Sequence, residues 1–186
     1  MPAVVVLSTL SAPVDPELDE LLGDVAASAL RRELARRACS WAAEVAGPDG
    51  LAFEANSPAA ALAALEGHEG PVLLVSPDVP GLDAHLAETA LEDLAQGVVM
   101  SFGPATDSLP YLIGLPDLDA ELISLAGAPV ADLYAAVTSR EGGAGMLRSE
   151  RRLVSPGDAR AFAADPATPL ELGVLLAAGL DVRARR

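Results

Sequence analysis

The sequence contains no lysine. All 12 of its bases are arginines, set against 27 acids in 186 residues, for a net charge of −15. So acidic a surface repels phosphate backbones and anionic lipid headgroups. Ten of the arginines fall in short groups broken by acids or apolar residues: Arg31-Arg32, Arg36-Arg37, Arg148 to Arg152, and the tail Arg183 to Arg186. Neither nucleic acid nor a membrane is therefore an expected partner. Cysteine is nearly as scarce. Cys39 stands alone, which excludes an intramolecular disulfide and a cysteine-based metal cage, and its place beside Trp41 in a helical run reads as a small buried hydrophobe. The two histidines, His68 in a loop and His85 in a first helical turn, have no partner motif and read as solvent-facing. With no Gly-x-Ser-x-Gly elbow either, a hydrolytic triad has no support. No apolar run reaches the length of a membrane span, and Val4 to Leu7 is too short and lacks the basic leader of a signal peptide. The expected location is the cytoplasm.

What is present suits an ordinary soluble α/β protein. Apolar residues make up 51% and charged residues 21% of a chain long enough to bury a substantial core. No internal repeat or low-complexity linker divides it, so a single domain over 1–186 is expected. Ala3 to Leu7 is a β-branched run that reads as a first, central strand. Asp24 to Val45 places Leu30, Leu34, Ala38, Trp41 and Val45 on one helical face. Leu51 to Ala55 alternates as a second strand. Ser57-Pro58 and Ser155-Pro156 each open a helix as N-cap and first-turn proline, and Asp83 caps a helix over Ala84 to Ala95. A helix is expected over Ala131 to Ser139, and a last one from Thr168-Pro169 to about Ala178. Met146 to Val154 is read as a strand with its arginines pointing outward. Asp117-Leu-Asp119 spells an acidic pair known from metal sites, but its place before Ala120 to Leu125 reads better as a helix cap.

The stretch from Pro71 to Gly114 organises the chain. Val72 to Val75 has the length and continuity of a buried parallel strand, and Ser76-Pro-Asp78 sets a carboxylate just past its carboxyl end. Open α/β sheets bind ligands at that end. A second apolar run, Val98 to Phe102, leads into Gly103-Pro-Ala-Thr-Asp107, and a third follows in Tyr111 to Ile113. Asp78 and Asp107 are thus expected on one rim.

These residues resemble the GT-A superfamily of nucleotide-binding transferases. The nearest likeness is to a bacterial branch of glycosyltransferase-like proteins, the domain of unknown function 2064 type, akin to molybdenum-cofactor guanylyltransferase and 2-phospholactate guanylyltransferase. Ser76-Pro-Asp-Val-Pro-Gly-Leu82 fits that branch's Gly-Ser-Asp-Cys-Pro-Gly-Leu loop without a gap. Gly103 to Gly114 matches its Gly-Pro-Ala-Asp-Asp-Gly-Gly-Tyr-Tyr-Leu-Ile-Gly segment at Gly103, Pro104, Ala105, Asp107, Tyr111, Leu112, Ile113 and Gly114. The close match covers about 44 of the 186 residues. It implies a three-layer GT-A fold with a mostly parallel sheet, and a nucleotide or nucleotide-sugar ligand. It further implies a magnesium or manganese ion on Asp78 and Asp165, a role for Asp107 in catalysis, and a pocket lined by Ser76, Gly103, Pro104 and Ala105.

Three features depart from the family pattern. The loop after the first strand, where the family places lysine and arginine for phosphate, contains no base here. Ser108-Leu109 replaces a glycine pair, and Ala167 replaces the second aspartate of a segment matched by Asp165 to Pro169. Loss of a cationic clamp removes a main source of transition-state stabilisation for nucleotidyl transfer, unless Arg140, Arg148, Arg151 or Arg152 reaches the site. Two readings follow: a metal-dependent nucleotidyl- or glycosyltransferase, or a catalytically inactive GT-A-like scaffold that binds or assembles with other molecules, a second copy of itself included.

Overall fold

The backbone of residues 1–184, with side chains as far as Asp181, is described by a computed structural model. The strands are β1 (Ala3–Leu7), β2 (Leu51–Ala55), β3 (Val72–Val75), β4 (Met100–Pro104), β5 (Pro110–Leu115) and β6 (Ala144–Met146). They form a sheet in the order β2-β1-β3-β5-β4-β6. Only β5 runs against its neighbours; the other pairings are parallel. β1 is therefore interior, as its apolar run requires, but the middle positions belong to β3 and β5.

The helices are α1 (Pro16–Leu22), α2 (Asp24–Ala46), α3 (Pro58–Ala64), α4 (Ala84–Ala95), α5 (Ala120–Ser124), α6 (Val130–Thr138), α7 (Pro156–Ala164) and α8 (Leu170–Ala184), with a 3₁₀ turn at Ser8–Leu10. Because successive strand residues face opposite sides, β1 and β3 supply two cores at once. Ala3, Val5, Leu7, Val72 and Leu74 meet α3, α5 and α6 through Ala61, Leu122, Ile123, Leu133 and Val137. Val4, Val6, Leu73 and Val75 meet α2 and α4 through Ala38, Trp41, Ala42, Leu86, Ala90 and Leu94. A third cluster joins α1, the first turns of α2, α7 and α8 around Leu18, Leu30, Leu34, Leu172 and Leu176. The fold is thus a three-layer α/β sandwich with a helical annex.

The expected caps form. Ser57 Oγ accepts from Ala60 N, Asp83 from Leu86 N, and Asp119 from Leu122 N. Ser155 and Asp158 make a reciprocal capping box. Each such cap contributes about 1 kcal/mol.

Two expectations fail. The last helix runs well past Ala178, because Gly179 does not break it: the side chain it lacks leaves room for Leu22, whose Cδ2 would lie 2.8 Å from a Cβ there. The segment from Met146 to Val154 is not a strand. Only Ala144–Met146 pairs with β4. Beyond it, Leu147 N donates to Phe102 O, Glu150 N to Pro104 O and Leu153 N to Asp78 O. The first two bonds go to β4, with an isolated bridge from Glu150 to Ala105 just beyond it, and the third crosses to the loop after β3, so the chain becomes a strap across the carboxyl end of the sheet. The basic tail read at 183–186 lies outside the described side chains.

Candidate functional site

β3 ends at Val75, and Ser76 N still bonds to Tyr111 O of β5, so the chain leaves the sheet with Ser76 fully buried. Two residues on, Asp78 turns back into the rim and is 8% exposed. Its Oδ2 accepts from Ala12 N at 2.9 Å, tying down the loop that follows β1. Its Oδ1 accepts from Ser76 Oγ at 2.6 Å and from Arg152 Nη1 at 2.7 Å. Buried carboxylates persist only when satisfied in this way.

Arg152 comes in on the strap and is 2% exposed. Besides Asp78, its Nη1 donates to Ser76 Oγ at 3.1 Å and its Nη2 to Pro110 O at 2.8 Å. Its Nε lies 3.0 Å from Asp107 Oδ2. That contact is an ion pair without hydrogen-bond alignment, so the buried Nε has no hydrogen-bond acceptor among the described residues. Asp107 sits in the turn between β4 and β5, where its Oδ1 accepts from Leu109 N. Asp78 and Asp107 therefore do share one rim, as the sequence implies, but a guanidinium lies between them. The expectation that the arginines of 146–154 point outward is wrong for Arg152. An irregular strap has no alternation, so strand logic could not place it.

The other residues singled out in the sequence are placed as follows. Asp165 is not part of this cluster; at the end of α7 its Oδ1 accepts from Ala167 N. Gly103 is filled from within: a Cβ there would lie 2.5 Å from Cζ of Tyr111, whose buried ring takes the space and whose hydroxyl donates to Arg148 O. Burial raises the Tyr111 phenol well above its usual range, with Glu150 adding to it. Ala105 is buried among apolar neighbours. Asp119 caps α5 and pairs with Arg140 at 2.6 Å. Burial works to raise its pKa, but the Leu122 N–H and Arg140 outweigh it and hold the carboxyl low. His85 is exposed and faces Glu88.

The arginines that could replace the missing clamp are mostly committed. Arg140 pairs with Asp119 and Glu121, Arg148 with Asp83 and Glu150, and Arg152 with Asp78 and Asp107. Arg151 is exposed. Asp78 has both oxygens engaged and its charge neutralised by Arg152. As they stand, these residues do not fit a divalent ion. Nor does any cluster of three or more histidine, cysteine or acidic side chains with metal-binding geometry occur among the described residues. No helix among them is long and apolar enough to cross a membrane.

No protein-family model matches the sequence, and no curated protein matches it. Solved structures do. A candidate nucleotide-diphospho-sugar transferase from Desulfovibrio desulfuricans G20 superposes with a TM-score of 0.67 at 17% identity, over 99% of this chain and 96% of that one. A homologue of Mycobacterium tuberculosis Rv0371c from Mycobacterium sp. strain JC1 gives 0.46 at 14%, covering 95% and 97%. The manganese complex of Rv0371c itself gives 0.42 at 15%, covering 86% and 96%. The fold is of the nucleotide-diphospho-sugar transferase-like, GT-A type. The narrower guanylyltransferase-like branch suggested by the two loop motifs has no support from a family model or a curated relative.

Proposed function

We propose that this chain is a GT-A-type scaffold without metal-dependent nucleotidyl or glycosyl transfer, serving as a binding or assembly protein. One observation carries the reading: the buried Arg152 guanidinium fills the gap between Asp78 and Asp107. Transfer of a phosphoryl-linked group depends on cations that neutralise developing charge on the donor. Here the rim's buried cation is spent on carboxylates, and the loop after β1, bonded to Asp78 through Ala12, contains no base. The transferase implied by the sequence resemblance needs the opposite allocation, with the carboxylates on a magnesium or manganese ion and the bases on phosphate.

Thermal unfolding against nucleoside triphosphates and nucleotide sugars, each with and without Mg²⁺ or Mn²⁺, tests this. A ligand at a hundred times its dissociation constant adds about 2.7 kcal/mol, which for a chain of this length raises the midpoint by roughly 5–11 °C. No such shift is expected. A metal-dependent shift that disappears in Asp78→Asn would overturn the proposal and restore a working transferase pocket.

A further inference from the structure

We infer that the cleft around Arg37 binds a small apolar amino acid, its carboxylate on Arg37 and its ammonium on Asp165. Such a ligand gives content to the binding role proposed above, and rests on that reading in being other than a nucleotide.

Arg37 lies on α2 and lines two adjoining cavities. The larger, of about 330 Å³, is walled by Pro80, Leu82, Phe162 and Pro169 and includes Asp165. The smaller, of about 200 Å³, lies beside Trp41, whose ring is fixed by donating Nε1 to Asp83 O at 2.7 Å. Both cavities share the loop of Pro80 and Leu82, so Arg37 stands where they meet. Its guanidinium has no protein partner. Glu33, one turn earlier on α2, gives both carboxylate oxygens to Arg36, and no carboxylate among the described residues pairs with Arg37. Its Nε is buried with no hydrogen-bond partner among them. A chain with 27 acids and 12 bases has carboxylates to spare, and a cation drawn out of water is costly unless paired. A ligand carboxylate supplies the missing pair, and a guanidinium head group is shaped to receive one.

The remaining lining decides what else the ligand carries. Asp83, Glu150 and Asp165 all face the larger cavity, and Glu44 the smaller. Arg148 pairs with Asp83 at 2.8 Å and Glu150 at 2.6 Å, so one cation is shared by two acids. Asp165 Oδ1 is held by Ala167 N at 2.8 Å, while Oδ2 accepts no hydrogen bond from the described residues. Carboxylates thus outnumber cations. Phosphate or a nucleotide, carrying several negative charges, is repelled here. A molecule that brings its own ammonium is neutral overall and compensates Arg37 and Asp165 together. The apolar walls then suit an aliphatic or aromatic side chain. A cavity at the lower end of the roughly 300–1,000 Å³ range of small-molecule sites holds one amino acid rather than a nucleotide sugar.

The test is titration of the isotope-labelled full chain with L-leucine and L-phenylalanine, followed by amide chemical shifts. Three probes accompany them: N-acetyl-L-leucine, which lacks the ammonium, L-leucinamide, which lacks the carboxylate, and inorganic phosphate. Saturable shifts confined to Arg37 to Trp41, Gly81 to Asp83 and Asp165 to Thr168 are expected with the amino acids alone. Arg37→Gln breaks no bond within the described protein, so it should melt with the native chain yet bind L-leucine about 10- to 100-fold more weakly. Asp165→Asn should also weaken binding. No saturable shift with either amino acid overturns the inference and leaves the nucleotide result standing. So does an Arg37→Gln variant that binds as the native chain does. N-acetyl-L-leucine or phosphate binding as tightly as L-leucine overturns the zwitterion assignment.

Discussion

Nη1 of Arg152 and Oδ1 of Asp78 stand 2.7 Å apart, although 74 positions separate them in the chain. The same carboxylate reaches the loop after β1 through Ala12 N and receives the Ser76 hydroxyl. A side chain first marked as a metal ligand is thus a structural junction joining the β3 loop, the β1 loop and the strap.

The two carboxylates that flank Arg152 should consequently differ in what they hold up. Asp78 is almost fully buried and accepts three hydrogen bonds, so Asp78→Ala leaves an uncompensated buried cation and orphaned donors and should cost about 3–5 kcal/mol. The Asp107 side chain is 33% exposed and its Arg152 contact lacks hydrogen-bond alignment, so Asp107→Ala should cost only about 1 kcal/mol. Urea unfolding of both variants checks the order. Equal losses would show that Arg152 is held by Asp107 as firmly as by Asp78.

Ser108 has a φ of +66°, and it is the only non-glycine residue with positive φ among the described residues. It sits where the resembling family has the first of two glycines. The turn is held in that conformation from both ends: Ser108 N bonds to Ala105 O, and Val130 N bonds to Ser108 O. A non-glycine residue in left-handed backbone costs roughly 1–2 kcal/mol, while glycine costs roughly 0.5–1 kcal/mol more entropy on folding. Ser108→Gly should therefore stabilise by about 0.5–1 kcal/mol, and Ser108→Val should destabilise. Denaturation midpoints of the two variants give the signs directly. A destabilised Ser108→Gly would mean that the turn is relaxed as it stands.

The sequence carried much of this. The continuous apolar runs of β1 and β3, and the serines and aspartates set ahead of helices, place the interior strands and the caps, because those signals are local. The two apolar runs that end in acidic loops placed Asp78 and Asp107 on one rim correctly. Which of the four candidate arginines is the mate of those carboxylates was not legible. Arg152 lies in an irregular segment whose backbone bonds pass from β4 to the loop after β3, and no local period reports which of its arginines turns inward. The need for glycine at position 103 was not legible for a related reason. A glycine beside a presumed pocket reads as room for a ligand, whereas the ring of Tyr111, eight residues later and on the antiparallel partner strand, is what needs the room. A signal did exist for Arg152: in a rim with two carboxylates and no lysine, the nearest arginine cluster is the obvious source of compensating charge.

Cys39 provides a prediction independent of the rim. On α2 it is partly buried and its Sγ lies 3.0 Å from Glu54 Oε1 on β2. Burial first, and then the hydrogen bond and negative charge of Glu54, push the thiol up to about 11 from an ordinary value of 9.0. The thiolate is the reactive form, so two pH units imply on the order of 100-fold less of it at pH 8 than for a free cysteine. Alkylation of the native protein at pH 8 should be slow in proportion, and Glu54→Gln should speed it by removing the charge that opposes thiolate formation. The sign for stability follows from linkage. The folded state holds this proton more tightly than the unfolded one, so the contribution is complete below about pH 9 and is lost as pH rises toward about 11. Urea midpoints measured at pH 8 and pH 10.5 should fall more for the native chain than for Cys39→Ala. An equal fall in both would mean that other groups set the alkaline limit and that the thiol titrates alike in the folded and unfolded chain.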